Sequence, residues 1–276
     1  MILERINLKD YFPMLEHDVF LESYCPSNYA EFSTNKEREC VIVLPGGGYS
    51  FLSDREAEPV ALRFAGDNIA AFILRYTIAP IMKYPYPLVE VLAAVAYIRK
   101  NKEKYHVKEN SISVCGFSAG GHLAASASAY YFEKEFLDFL KLKEEDTKIN
   151  GCILGYPVIT STKGHLETIK NATGGDEKLK DKLSIERHVT DKFPKTFIWH
   201  TTFDGLVPVE ESLVLAKALS EKKVFYEMHI YPMLDHGQSL ADDSVYNDAF
   251  PKEQLELMKP NREWIRLAIF FIKHYV

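Results

Sequence analysis

Short apolar runs recur along the chain, and the stretches between them carry apolar residues at intervals of three or four. Residues 40–44, Cys-Val-Ile-Val-Leu, lack the polar alternation of a half-exposed strand and predict a strand buried on both faces. Residues 69–75 read the same way. Helical spacing of apolar positions predicts helices over 54–64 and 88–100, and the repeat of Phe132, Phe136 and Leu140 predicts another over 132–140. Further strands are expected at 111–115, 152–155, 196–200 and 224–230, with helices at 209–222 and 261–275, the last capped by Asn261. A strand over 19–24 is expected at a sheet edge. Alternating strands and helices with buried strands predict an α/β protein: a mainly parallel sheet covered by helices on both faces. We expect one domain over 1–276, without repeats or low-complexity linkers. The polar segment 158–195, inserted between two strands, is expected to form a small cap over the pocket.

Composition narrows the partners. In 276 residues, 47% hydrophobic and 26% charged, the formal charge of −6 offers no general attraction to nucleic acid or anionic membrane. A small polar or neutral ligand is expected instead. Four cysteines without a Cys-x-x-Cys suit free thiols in a reducing compartment. The first ten residues lack the apolar core of a signal peptide and no run is long enough to cross a bilayer, so a cytoplasmic protein is expected. Asn171-Ala172-Thr173 is a glycosylation sequon in form and a turn in expectation. Whether the chain forms a homo-oligomer is left open.

The chemistry centres on Gly116-Phe117-Ser118-Ala119-Gly120, a Gly-x-Ser-x-Gly between a predicted strand and an alanine-rich helix. Glycines two positions either side of the serine let strand and helix crowd together, which pushes the hydroxyl out above the sheet edge. A serine hydroxyl is a weak nucleophile at neutral pH and needs a histidine to take its proton and a carboxylate to orient that histidine. Asp204 follows the strand ending near His200, and His236 follows the next strand. Parallel strands place both loops beside Ser118, in the order Ser, Asp, His. Of nine histidines, His229 lies within a strand and His200 at a strand end, whereas His122 is tied to the helix face four residues after Ser118. Asp235, adjacent to His236, is awkwardly placed to orient it, which favours Asp204.

A tetrahedral intermediate also needs donors for its oxyanion, each worth about a hundred to a thousandfold in rate. Pro45-Gly46-Gly47-Gly48 follows a buried strand and lets backbone N–H groups approach a ligand unshielded, and the N–H of Ala119 is expected to point into the same space. An alternative role for these glycines as a nucleotide-phosphate loop lacks Gly-x-Gly-x-x-Gly or Gly-x-x-x-x-Gly-Lys-Ser/Thr. No His-Glu-x-x-His or metal-spaced cluster is seen, and neither metal nor cofactor is expected.

These motifs resemble α/β-hydrolase esterases near the hormone-sensitive-lipase-like group, and above all bacterial carbohydrate acetyl-esterases. The resemblance rests on P-G-G-G-Y from Pro45, D-R-E-A-E-P-V-A from Asp54, L-R-Y-T-I-A-P from Leu74, G-F-S-A-G-G-H from Gly116, L-G-Y-P-V-I from Leu154, F-I-W-H-T from Phe197 and D-H-G from Asp235. It implies the α/β-hydrolase fold and serine-esterase activity on short acyl groups. Ser118, Asp204 and His236 would be the triad, and Gly47, Gly48 and Ala119 the oxyanion donors. Pro45 departs from the histidine many lipases carry before the glycines, so the loop must be supported from elsewhere. Tyr49, Tyr76, Tyr84 and Tyr86 lie in loops expected near the crevice, with Tyr49 and Tyr84 the candidates for binding a sugar. Arylformamidase or small-peptidase chemistry would use the same triad, whereas a silent binding module would have lost a member of it.

Overall fold

The computed structural model describes residues 1–276 apart from Phe32, Met82, 233–234 and 247–249. Eight strands, β1 (Ile2–Asn7), β2 (Phe20–Cys25), β3 (Arg38–Leu44), β4 (Ala70–Arg75), β5 (Val107–Phe117), β6 (Gly151–Gly155), β7 (Lys195–Thr201) and β8 (Tyr226–Tyr231), form one sheet in the order β1-β2-β4-β3-β5-β6-β7-β8. All neighbours from β4 to β8 pair in parallel, and the two pairings made by β2 are antiparallel.

Side-chain alternation along β3 explains why its sequence is apolar throughout. Cys40, Ile42 and Leu44 face one core cluster, with Leu88, Leu92, Leu123 and Leu215 from helices Tyr86–Lys100, Ala119–Tyr130 and Glu210–Glu221. Val41 and Val43 face the other, with Val60, Phe64, Trp264 and Ile269 from helices Glu58–Gly66 and Glu263–Tyr275. Each such side chain, fully withdrawn from water, contributes about 1.5–3 kcal/mol, and a polar residue at either parity would face a core. All four cysteines are buried and free, and burial pushes the thiols of Cys25 and Cys152 up to about 12, which makes them inert. Among the described residues no helix is long and apolar enough to cross a membrane.

Four sequence expectations need correction, one of them the turn at 171–173, which is instead the end of the helix Leu166–Thr173. The strand at 19–24 is not at the edge, because β1 pairs outside β2. The signal of β1 is inverted: Glu4 takes an inward register position and accepts from the Tyr105 hydroxyl at 2.7 Å, while Leu3 points outward and is exposed. Asn261 does not cap the last helix. It sits in the 3-10 turn Lys259–Arg262, buried, with its side-chain N–H donating to Gln238 Oε1 at 2.6 Å. The helix expected over 54–64 is broken into a 3-10 turn, Asp54–Glu56, and the helix Glu58–Gly66. That break turns Glu56 inward, to 3% exposure.

Candidate active site

Because β3 and β5 to β8 run in parallel, Leu44, Phe117, Gly155, Thr201 and Tyr231 end on one edge of the sheet. The loops that follow them build the site, as the crevice rule for such sheets requires. Ser118 is the hinge between β5 and the helix Ala119–Tyr130, with φ 53° and ψ −119°, a conformation few L residues adopt. Flanking glycines permit it. A Cβ on Gly116 would lie 2.1 Å from the Gly120 carbonyl oxygen, and one on Gly120 would lie 2.1 Å from that of Leu44. The turn is held by the Ser118 N–H on Gly155 O at 3.0 Å, and by the His122 and Val158 N–H groups on Ser118 O at 3.0 and 3.2 Å.

The loops after β7 and β8 bring Asp204 and His236 to this hydroxyl. His236 Nε2 is 2.8 Å from Ser118 Oγ, and its Nδ1 is 2.7 Å from Asp204 Oδ2. A carboxylate only accepts, so Nδ1 carries the hydrogen and the lone pair of Nε2 faces the serine. Asp204 Oδ1 accepts from the N–H groups of Leu206 and Val207 at 3.0 and 2.8 Å. Burial opposes ionisation of Asp204, but the hydrogen bonds from His200, His236 and the Val207 N–H outweigh it. Together they hold the carboxyl well below the usual range. Asp235, judged unsuited to orient His236, instead accepts at Oδ1 from the N–H groups of Gly205 and His236, at 2.9 and 2.8 Å. It stitches the two loops together.

The segment Pro45–Gly48 lies against the serine, since a Cβ on Gly46 would be 3.0 Å from Ser118 Cβ. Gly47 has φ +127°, and a Cβ there would meet the Phe51 carbonyl oxygen at 2.1 Å. With proline at position 45, three side chains support the loop. Tyr76 OH donates to Pro45 O at 2.5 Å, Asn171 Nδ2 to Gly48 O at 2.8 Å, and Glu56 Oε2 accepts from the Gly46 N–H at 2.8 Å. The Gly46 N–H is thereby occupied. The N–H groups of Gly47, Gly48 and Ala119 have no hydrogen-bond acceptor among the described residues.

The groove at Ser118 and His236 has a volume of about 220 Å³ and is lined by Gly47 and Gly48, with Phe51, Arg55, Leu206 and Asn171 on its walls. His165, Glu167 and Thr168 from the segment 158–195 complete one side, and His165 Nδ1 is 2.8 Å from Thr168 Oγ1. Neither Tyr49 nor Tyr84 lines this groove. Both face a separate small space behind it with Leu88, Leu123 and Leu183. The Tyr49 hydroxyl is 2.9 Å from His122 Nδ1, while that of Tyr84 is buried with no hydrogen-bond partner among the described residues. His122 is wholly buried, its Nε2 is 3.0 Å from Leu183 O, and burial pulls its pKa down to about 4. His200, also buried, contacts Ser212 Oγ at 2.8 Å and Val207 O at 2.9 Å and stands 3.3 Å from Asp204 Oδ2.

Residues the sequence did not single out also meet here. The phenol of Tyr156, in the Leu-Gly-Tyr-Pro stretch after β6, donates to Glu56 Oε1 at 2.6 Å and accepts the Ser239 N–H at 2.9 Å. Its ring meets that of His236 edge to face, with centroids 4.9 Å apart. Both residues belong to quoted motifs, but nothing in the spacing of either motif assigns them a partner.

Comparison with known proteins agrees with this architecture. The BD-FAE family matches residues 27–219. The chain is 34% identical over 223 residues to endo-1,4-beta-xylanase B of Butyrivibrio fibrisolvens, covering 76% of this chain and 34% of that protein. It is 26% identical over 247 residues to an acetylxylan esterase of Xylanibacter ruminicola, covering 85% of this chain and 49% of that one. The chain thus spans about a third to a half of the length of these two relatives. Among solved structures, an acetyl ester-xyloside bifunctional hydrolase from Caldicellulosiruptor lactoaceticus superposes with a TM-score of 0.79 at 32% identity, over 98% of this chain and 95% of that one. The chain belongs to the BD-FAE family and has the α/β-hydrolase fold.

Proposed function

We propose that this protein hydrolyses short-chain carboxylic esters, in particular O-acetyl groups on sugars or oligosaccharides, with Ser118, His236 and Asp204 as its catalytic triad. The observation that carries the proposal is the unbroken hydrogen-bonded chain from Ser118 Oγ through both nitrogens of His236 to Asp204. In this scheme Ser118 attacks the ester carbonyl while His236 Nε2 takes its proton, and Asp204 stabilises the resulting imidazolium. The tetrahedral oxyanion is met by the N–H groups of Gly47, Gly48 and Ala119. His236 then returns the proton to the departing alcohol, leaving an acyl-serine. Water, deprotonated by the same histidine, attacks the acyl-serine, and His236 then gives that proton to Ser118 Oγ as the acyl C–O bond breaks and the acid leaves.

Preference for acetyl groups is supported by the shape of the groove. Among the residues lining the groove of about 220 Å³ only Phe51 and Leu206 carry apolar side chains, the rest being glycine, polar or charged, so it lacks the continuous apolar wall that a long acyl chain would need. An apolar pocket gains only about 1–3 kcal/mol per methylene, so exclusion by size is the stronger discriminator. Sugar as the alcohol is supported by the polar wall from segment 158–195, which acts here as a small cap, and by the names of the relatives given above. Asn171, Thr168 and His165 replace Tyr49 and Tyr84 as the candidate sugar contacts. The test is a comparison of kcat/KM on p-nitrophenyl acetate, butyrate and octanoate, beside acetate release from acetylated xylo-oligosaccharides and formate release from N-formylkynurenine. Acetyl esters should be cleaved best. A preference for octanoate would refute the short pocket, and efficient formate release without sugar deacetylation would assign the site to formamide hydrolysis.

A further inference from the structure

The motif Asp54-Arg55-Glu56 is not used by the mechanism above, yet one of its side chains ends inside the site. Glu56 is 3% exposed, and each of its carboxylate oxygens is committed. Oε2 holds the N–H of Gly46, in the loop whose next two residues line the groove. Oε1 holds the phenol of Tyr156, whose oxygen receives the Ser239 N–H and whose ring packs against His236. The Ser239 hydroxyl closes the circuit by donating to the Arg55 carbonyl at 2.5 Å. One carboxylate therefore ties together the loops after β3, β6 and β8, which carry the oxyanion donors, the packing surface of the imidazole and the imidazole itself.

We infer that Glu56 and Tyr156 are positioning residues that act as one unit, locking the Gly47 and Gly48 N–H groups and the His236 ring in register with Ser118. The chemistry of each bond gives the direction. By occupying the Gly46 N–H, Glu56 removes it from the candidate donors and orients the loop so that Gly47 and Gly48 present theirs. Tyr156 must donate to Glu56, because a carboxylate can only accept, and burial keeps the phenol protonated by raising its pKa far above the ordinary value. Replacing Glu56 by glutamine keeps the shape but reverses one polarity. If the amide oxygen serves Gly46, the amide N–H2 faces a phenol oxygen that already has a donor, and the phenol hydrogen loses its acceptor. Replacing Tyr156 by phenylalanine keeps the ring on His236 and removes the link to Glu56 and Ser239. The site would then be present but loosened, and misplacement on the scale of an ångström costs about 10²-fold in rate.

This inference rests on the triad proposed above, and the experiment separates the two. Wild type, Glu56→Gln, Tyr156→Phe and the double variant are titrated with a fluorophosphonate, and kcat and KM on p-nitrophenyl acetate are expressed per titrated site. Normalising to titrated sites removes loss of folded protein, which is all that a purely structural role would cause. Each single variant should lose about 10- to 100-fold in kcat with KM changed less than threefold, and the double variant should be no worse than the poorer single, as for residues acting as a unit. Should Glu56→Gln fail to fold, Tyr156→Phe alone carries the same expectation. A kcat per site within twofold of wild type in the folded single variants would overturn the inference while leaving the triad untouched. Losses that multiply in the double variant would overturn the single-unit claim. Failure of the wild type to titrate or turn over would overturn both.

Discussion

His200 and His236 share one oxygen of Asp204: Oδ2 lies 2.7 Å from His236 Nδ1 and 3.3 Å from His200 Nε2. Two imidazoles and two backbone N–H groups thus converge on a single carboxylate, and none of them can be satisfied by an amide nitrogen. Asp204→Asn should therefore lower kcat roughly 10³- to 10⁴-fold, because the amide either repels the Nδ1 hydrogen or forces the imidazole into the tautomer that cannot accept from Ser118. Far-UV circular dichroism should be unchanged. Steady-state kinetics decide it, and near-normal turnover would transfer the orienting role to another group.

The glycine loop offers a paired comparison. Gly47→Ala should lose about 100-fold or more in kcat, because its φ of +127° suits only glycine and its Cβ would strike the Phe51 carbonyl, so the donors must move. Gly48→Ala meets nothing nearer than Thr168 Oγ1 at 3.6 Å and should cost about 1–2 kcal/mol in stability from its φ of +60°, with a smaller loss of rate. Equal kcat in wild type and Gly47→Ala would remove this loop from the mechanism.

The pH dependence of stability follows from His122. Its folded-state pKa is drawn down from 6.5 to about 4 by burial, so between those values the unfolded chain binds a proton that the folded chain does not. Stability is therefore complete above pH 6.5 and falls as pH drops towards 4, by roughly 2 to 4 kcal/mol from this group. His122→Gln should have a lower Tm at neutral pH and a flatter Tm profile across that window. An unchanged slope, measured by thermal denaturation at several pH values, would assign the acid loss to other groups.

Much of the fold was legible because burial on both faces leaves a plain signature. The run Cys40 to Leu44 is apolar at both parities, as only a strand between two layers of helices needs to be. The early strand pair was harder to place, since Glu4 sits at an inward position where a hydroxyl satisfies it and the alternation is lost. At the site, Ser118, Asp204 and His236 could be found because each directly follows a parallel strand, and the sheet alone brings such loops together. Glu56 could not be found that way. Its position depends on a helix breaking at Ala57 and on partners 10, 100 and 183 residues away in sequence, of which two are direct bonds and the third is reached through Tyr156. Tyr49 and Tyr84 lie away from the groove for a related reason. An aromatic residue beside a glycine loop can turn either into the groove or behind it, and Tyr49 turns behind it to reach His122.

The central claim is that Ser118 is the nucleophile. Incubating wild type and Ser118→Ala with a fluorophosphonate, followed by intact and peptide mass spectrometry, tests it most directly, because only a hydroxyl paired with a base and facing oxyanion donors reacts quickly. One phosphonyl adduct should form per chain, on the peptide containing Ser118, with loss of p-nitrophenyl acetate hydrolysis in step and no adduct on Ser118→Ala. Labelling that persists in Ser118→Ala, or full hydrolysis by that variant, would contradict the account.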